Sequence, residues 1–135
     1  MKDAVKLIVY DASGDILVLR RSHTHPYWPY DADFPGGDID AGETAMQAAV
    51  RELHEETGLV IADSQLALVE SWPNHYGTKY HLYEVRLQAQ RPDVQISWEH
   101  DEHTWFSVAD IAARIRPALT DTFTNSIVKY FAAGE

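Results

Sequence analysis

Cysteine is missing from all 135 residues. Its absence excludes disulfides, thiolate metal sites and cysteine nucleophiles, and leaves a reducing cytoplasm as the default compartment. Basic residues are scarce as well. Lys and Arg number 11 against 21 Asp and Glu, a formal net charge of −10. That balance disfavours nonspecific binding to a nucleic-acid backbone, while a nucleotide whose phosphates are offset by metal ions stays admissible. No apolar run approaches the roughly 20 residues of a membrane span, and Met1-Lys2-Asp3-Ala4 lacks a signal-peptide pattern. No repeat, linker or low-complexity stretch divides the chain. The expectation is one cytoplasmic domain over residues 1–135, with one real core and no nucleic-acid or membrane partner.

Strands and helices alternate along the chain. Val5 to Tyr10 (VKLIVY) and Ile16 to Leu19 (ILVL) read as strands around the turn residues Ala12 to Asp15, with Arg20 and Arg21 closing the second strand. Residues 22–33 form a loop with two prolines and three aromatics, and Phe34 to Gly37 is a short strand entering a tight turn. Leu66 to Trp72 and Tyr80 to Gln88 read as strands, Arg91 to Ser97 as a polar connection or short edge, and Trp105-Phe106 as a short strand. Ser107 or Asp110 starts a turn of helix near Ile111. Pro117 to Phe131 reads as a helix with Ile127, Val128 and Phe131 facing the core. This order predicts a mixed α/β (α+β) sandwich.

The most informative stretch is GDIDAGETAMQAAVRELHEETGL, Gly37 to Leu59. Thr44 to Thr57 holds good helix formers without Gly or Pro, and Gly58 suits a left-handed C-terminal stop. On a helix turning about 100° per residue, Glu52, Glu55 and Glu56 rise as i, i+3 and i+4 neighbours. Ala48 and Ala49 lie one turn earlier, where small residues are expected to admit a bulky ligand. Met46, Val50, Leu53 and Thr57 form a stripe for packing on a sheet, and Gln47, Arg51 and His54 a polar one. Carboxylates crowded at a helix C-terminus oppose one another and the helix dipole. A hard cation, Mg²⁺ or Mn²⁺, would resolve that conflict.

Competing sites fail on spacing. An EF-hand loop starting at Asp31 meets Pro35 at its fifth position and Gly42 at its twelfth, where a glutamate is required. His54-Glu55-Glu56 continues to Gly58 and forms no zinc-protease motif, and neither a P-loop nor a nucleophile elbow occurs. His23, His25, His100 and His103 read as loop or surface histidines.

Gly37, Glu43, Arg51-Glu52-Leu53, Glu55-Glu56 and Gly58-Leu59 fit every fixed position of G-x5-E-x7-R-E-U-x-E-E-x-G-U, where U is a bulky aliphatic. The chain therefore resembles the Nudix hydrolases, the MutT-like pyrophosphohydrolases of nucleoside diphosphate-X compounds. The resemblance implies a mixed, curved sheet between helices and Mg²⁺- or Mn²⁺-dependent attack of water on a diphosphate linkage. It also implies the metal ligands Glu52, Glu55 and Glu56, with the Gly37 carbonyl beside them. Arg51 is implied to orient carboxylates such as Glu43. A glutamate outside the box often binds metal or acts as base, a role carried over here to Glu99, with Glu102 as rival; Glu55 and Glu56 are the alternatives inside the box. Asp38 and Asp40 fall at variable positions and receive no role.

Substrate contacts are expected from Arg20 or Arg21, one of which could clamp a phosphate while strand alternation turns the other away. Tyr27 and Trp28 are candidates for stacking on a base, with Tyr30, Trp72 and Tyr76 behind them. The partner implied is a small nucleotide-like substrate. A homodimer is left open, since many family members dimerise. The other function class is a noncatalytic Nudix module that binds a nucleotide-like ligand as sensor or regulator. It is countered by the full set of box carboxylates. An isomerase would want the cysteine this chain lacks.

Overall fold

Alternation in VKLIVY decides the architecture. In the computed structural model, which describes residues 2–24, 31–73, 77–115 and 122–133, this segment is strand β1 (Ala4–Tyr10). Val5, Leu7 and Val9 join Ala48, Ala49 and Leu53 on one side. Ile8 and Tyr10 join Ile111, Phe123, Ile127 and Phe131 on the other. A strand that is apolar on both faces needs a layer over each. Helix α1 (Ala45–Thr57) supplies the first, and α2 (Val108–Arg114) with α3 (Thr122–Ala133) the second. The expected sandwich of helices around a mixed sheet is present.

The remaining strands are β2 (Ile16–Arg21), β3 (Ala32–Asp33), β4 (Gly36–Asp38), β5 (Ala67–Pro73), β6 (Lys79–Arg86) and β7 (His100–Phe106), giving a seven-stranded sheet. β1 runs parallel to β6, from Ala4↔Tyr80 to Tyr10↔Arg86, and the other pairs are antiparallel. β1 and β2 meet at Tyr10↔Ile16 and then part. The wedge between them is filled by the segment ahead of α1. Asp33 and Ala32 pair with Leu19 and Arg20 on β2, whereas Gly36, Gly37 and Asp38 pair with Lys6, Val5 and Ala4 on β1. One short stretch thus crosses from one half of the sheet to the other directly beside α1.

Three elements differ from the sequence reading. β3 lies within residues 22–33, read as loop, and is a strand because Ala32 and Asp33 pair with Arg20 and Leu19 of β2. β7 begins at His100 instead of Trp105, because pairing along the whole of β2 makes it a strand while the side chains of Asp101 to Thr104 stay exposed. Its polar residues carry no burial alternation to read. Arg91 to Ser97 contains no strand. Its amides instead serve the end of α1: Gln95 N donates to Thr57 O at 2.8 Å and Ser97 N to Glu56 O at 3.3 Å. These bonds satisfy terminal helix carbonyls that have no partner within the helix. Ser107 caps α2, as expected, by accepting from Asp110 N at 3.3 Å.

Candidate active site

Helix α1 is firmly delimited. The Thr44 hydroxyl accepts from Gln47 N at 3.1 Å and the Gln47 side chain accepts from Thr44 N at 2.9 Å, a reciprocal capping box. Gly58 ends the helix at φ +75° with its N–H on His54 O. The buried face comprises Ala48, Ala49, Leu53, Glu56 and Thr57, with Met46 and Val50 half-buried at its border. This corrects the reading of Ala48 and Ala49. Both are fully buried, so their small size admits the sheet and not a ligand. The close approach also draws Glu56 into the interface, where it is 3% exposed.

Two consecutive glycines receive the helix carboxylates. Gly36 N donates to Glu56 Oε2 at 2.7 Å. A Cβ on Gly37 would lie 2.6 Å from Glu52 Oε1, so the backbone there is in contact with the second carboxylate. Gly36 itself cannot carry a side chain, since its Cβ would fall 2.0 Å from Val5 O.

Arg51 organises the other side. Its Nε and Nη2 hold both oxygens of Glu43 at 2.8 and 2.9 Å, its Nη1 reaches Glu52 Oε1 at 2.9 Å and Glu55 Oε2 at 3.1 Å, and Nη2 also donates to Asp38 O at 3.0 Å. These bonds raise the guanidinium pKa and hold Glu43 down at about 2. Glu52 goes the other way. Burial, aided by the charges of Glu55 and Glu99 and opposed by the pull of Arg51, pushes it up to about 7. Glu56 is raised well above the carboxylate range by burial and then by Asp33, with the Gly36 bond opposing. Two carboxylates are thus held against one turn, and burial disfavours their charged forms more than Arg51, Lys6 and the Gly36 N–H favour them.

The NUDIX domain family model matches residues 1–126. The chain belongs to the Nudix family. Similar proteins include the RNA pyrophosphohydrolase of Wolbachia pipientis subsp. Culex pipiens, 24% identical over 96% of this chain and 88% of that protein. The 8-oxo-dGTP diphosphatase of Haemophilus influenzae is 38% identical over 53% of this chain and 51% of its own. Among solved structures, MutT from Aliivibrio salmonicida and Vibrio cholerae shares the fold at TM-score 0.75 and 23% identity, covering 99% of this chain and 98% of its own. The chain is a Nudix hydrolase.

The Nudix box also explains the carboxylate crowding. Nudix hydrolases generally use divalent metal ions. Among the described residues no three His, Asp or Glu side chains already converge as a cage. The chemistry nevertheless fits a hard cation. Glu52 and Glu56 are oxygen donors whose ionisation burial resists and a bound cation would favour, and Arg51 spans Glu52 and Glu55. Glu55 is the exposed member, its side chain 55% accessible, and can swing.

The remaining candidates separate. Glu99 sits near enough to Glu52 for its charge to bear on it, and its backbone O accepts from Ser22 N at 2.9 Å. Glu102 is exposed and paired with Arg20 Nη1 at 3.2 Å, while Asp101 takes Arg20 Nε at 2.8 Å. Alternation does turn the two arginines apart: Arg20 is exposed, and Arg21 is 7% exposed with its Nε 3.4 Å from Asp33. Tyr27, Trp28, Tyr30 and Tyr76 lie outside the described residues. Trp72 meets Phe123 edge-on at 6.1 Å.

Sequence reasoning missed a buried charged cluster behind the Nudix helix. Asp33 binds Lys6, His100 and Phe34 N. His100 is therefore a core residue, correcting its assignment to the surface. A lone lysine inside VKLIVY was the available signal, since an unpaired charge is not buried.

Proposed function

We propose that this Nudix hydrolase cleaves the diphosphate linkage of a small nucleoside di- or triphosphate, or a related nucleoside diphosphate-X compound, with water and Mg²⁺ or Mn²⁺. The observation that carries the reading is the adjacency of Gly36 and Gly37 to Glu56 and Glu52. Glu52, Glu55 and Glu56 with the Gly37 carbonyl would hold the ion, and Glu99 would join them. When bound, the ion offsets the diphosphate charge and acidifies the attacking water. Arg51 holds Glu43, Glu52 and Glu55 in register. Glu99, beside Glu52, takes the proton of the attacking water, with Glu55 or Glu56 as the alternative base. The noncatalytic alternative is disfavoured because every box carboxylate is retained and engaged.

The relatives include enzymes named for RNA and for a mononucleotide. We favour the mononucleotide class. Asp101 and Glu102 neutralise Arg20, Asp33 engages Arg21, and the chain carries a net charge of −10. A polyanion gains little from such a surface. The same reading places the enzyme in the cytoplasm as one domain, without nucleic-acid or membrane partners. No described helix is long and apolar enough to cross a membrane.

The test is Glu56→Gln assayed across nucleotide classes and a 5′-triphosphorylated RNA, reading released phosphate or pyrophosphate against Mg²⁺. Expected is a loss of at least about 10²-fold, with circular dichroism unchanged. The metal-free variant should melt no lower than wild type, because glutamine still accepts from Gly36 and, like the protonated carboxyl that burial and Asp33 favour, carries no charge. Retained metal-dependent turnover refutes the reading, and preferential turnover of the RNA refutes the substrate class.

A further inference from the structure

The cluster behind the Nudix helix has no task in the hydrolytic reading. Lys6, Arg21, Asp33 and His100 are 8%, 7%, 4% and 3% exposed, four ionisable side chains in one buried spot. Buried ion clusters of this kind are often no better for stability than apolar residues of the same volume. Their arrangement, however, is specific.

The Asp33 carboxylate is divided between two structures. Oδ1 accepts from Phe34 N at 2.9 Å and from Lys6 Nζ, which also donates to Phe34 O at 3.3 Å. Lys6 is the register partner of Gly36, whose N–H holds Glu56. This oxygen therefore secures the turn that receives the helix carboxylates. Oδ2 meets His100 Nε2 at 3.0 Å. His100 follows Glu99 and pairs with Arg21 where β7 begins. Backbone oxygens of the same segment are held by Ser22, which bonds Trp98 O at 2.8 Å and Glu99 O at 2.9 Å, and Ser97 N reaches Glu56 O at 3.3 Å. The Asp33–His100 bond adds a buried side-chain bond directly beside Glu99.

We propose that Asp33 is a positioning residue whose one carboxylate ties the Gly36–Gly37 turn to His100, and so holds Glu99 and the helix glutamates toward a common divalent cation. Asp33 is 4% exposed and is not one of the proposed ligands. It is short and sits where the chain crosses from β2 to β1, the place from which both halves of the site can be reached. The inference rests on the proposed role of Glu99.

The test severs the His100 branch and leaves the Lys6 branch intact. His100→Phe keeps an aromatic ring and loses the bond, and His100→Gln restores a donor near Nε2. Mn²⁺ affinity is measured on the protein alone by electron paramagnetic resonance, and kcat and KM are measured with the best nucleotide. Expected for His100→Phe is about tenfold weaker Mn²⁺ binding and about tenfold lower kcat, the scale for partners behind metal ligands, with KM unchanged. His100→Gln should recover most of both. In a Glu99→Gln background His100→Phe should cost little more, because both changes remove the same contribution. Asp33→Asn, which preserves volume, is read the same way if His100→Phe does not fold. Wild-type Mn²⁺ affinity and kcat in these variants, or losses that add in full to those of Glu99→Gln, overturn the proposal. A wild-type protein that binds no Mn²⁺ overturns the hydrolytic reading and this inference with it.

Discussion

Replacing Gly37 by alanine tests the site without changing a charge or a ligand type. The added Cβ would stand 2.6 Å from Glu52 Oε1, 2.7 Å from its Cδ and 2.9 Å from Oε2. Ordinary contact starts near 3.4 Å, so the carboxylate must retreat by about 0.8 Å. It can do so, being the end of a flexible side chain, but it then leaves the position that Arg51 Nη1 holds at 2.9 Å. A displacement of about 1 Å at a reacting centre costs on the order of 10²-fold in rate. That corresponds to about 2.7 kcal/mol of barrier. Stability moves little: an alanine whose backbone is compatible gains about 0.4–1 kcal/mol through the unfolded state, offsetting the strain. The expected variant melts within about 3 °C of wild type, turns over nucleotide about 10²-fold more slowly and needs more Mg²⁺. Gly36→Ala is the contrast, because its Cβ would meet the Val5 carbonyl at 2.0 Å and the Lys6 Cα at 2.7 Å, backbone atoms that cannot step aside. It should cost more than about 3 kcal/mol. Wild-type kcat and Mg²⁺ dependence in a folded Gly37→Ala protein would refute the contact between this turn and a working Glu52.

Arg51→Lys keeps the charge but cannot hold Glu43 through two nitrogens while also reaching Glu52 and Glu55; kcat should fall at least about tenfold, and an unchanged kcat would remove Arg51 from the positioning role. The metal-free protein should grow less stable as pH rises. Glu52 titrates at about 7 when folded and near 4.5 when unfolded, so the folded state holds a proton across that window and stability declines from pH 4.5 through 7. Below about pH 3.8 the trend reverses. Burial alone would raise Asp33, but Lys6, His100 and Arg21 outweigh it and hold it far below the usual range, so its stabilisation is lost on acidification. Calorimetry in EDTA should find a Tm about 3 °C higher at pH 5.5 than at pH 8, for a contribution discounted to about 1 kcal/mol; a flat profile, or one that Mg²⁺ at pH 8 does not alter, contradicts the charge assignment. Glu99→Gln should lower kcat by about 10²-fold while Glu102→Gln, at an exposed residue paired with Arg20, should stay near wild type; the opposite ranking would move the remote role to Glu102.

The fold was legible wherever burial imposes a period. VKLIVY is apolar on both faces and is the central strand; Ile127, Val128 and Phe131 recur at helical spacing and are all buried. Where pairing and not burial makes the element, the sequence is silent. His100 to Phe106 is a strand because β2 offers it an edge, and an edge strand with solvent on its side chains needs no alternation. Helix α1 shows a subtler limit. The stripe Met46, Val50, Leu53 and Thr57 predicted its buried face; Leu53 and Thr57 are buried, yet the face turns past Met46 and Val50 toward Ala48, Ala49 and Glu56. Small residues let the helix settle closer to the sheet than bulky ones would, and close approach decided the rotation over apolar area.

That rotation accounts for the conflict at the site. A helix seated on Met46 and Val50 would leave its glutamates in water, with ordinary acidity and no fixed geometry. Seated on the alanines, it places Glu56 3% exposed against Gly36 and Glu52 against Gly37. Each placement works against stability, since burial disfavours the charged carboxylate. The neighbours relieve it only in part: Arg51 pulls Glu52 down and the Gly36 N–H and Lys6 pull Glu56 down, while Glu55 and Glu99 add to the load on Glu52 and Asp33 to that on Glu56. Local rules broken together at one place, while caps, core and turns elsewhere obey them, mark a functional site in a chain otherwise consistent across levels. The sequence signals of the box reported which carboxylates are present. The two alanines and the two glycines determine where their charge is held. Substitution at Gly37, which meets the end of a flexible side chain, should alter metal dependence before it alters the fold, whereas Ala48 and Ala49 are fully buried and Gly36 faces backbone, so changes there disturb the packing first.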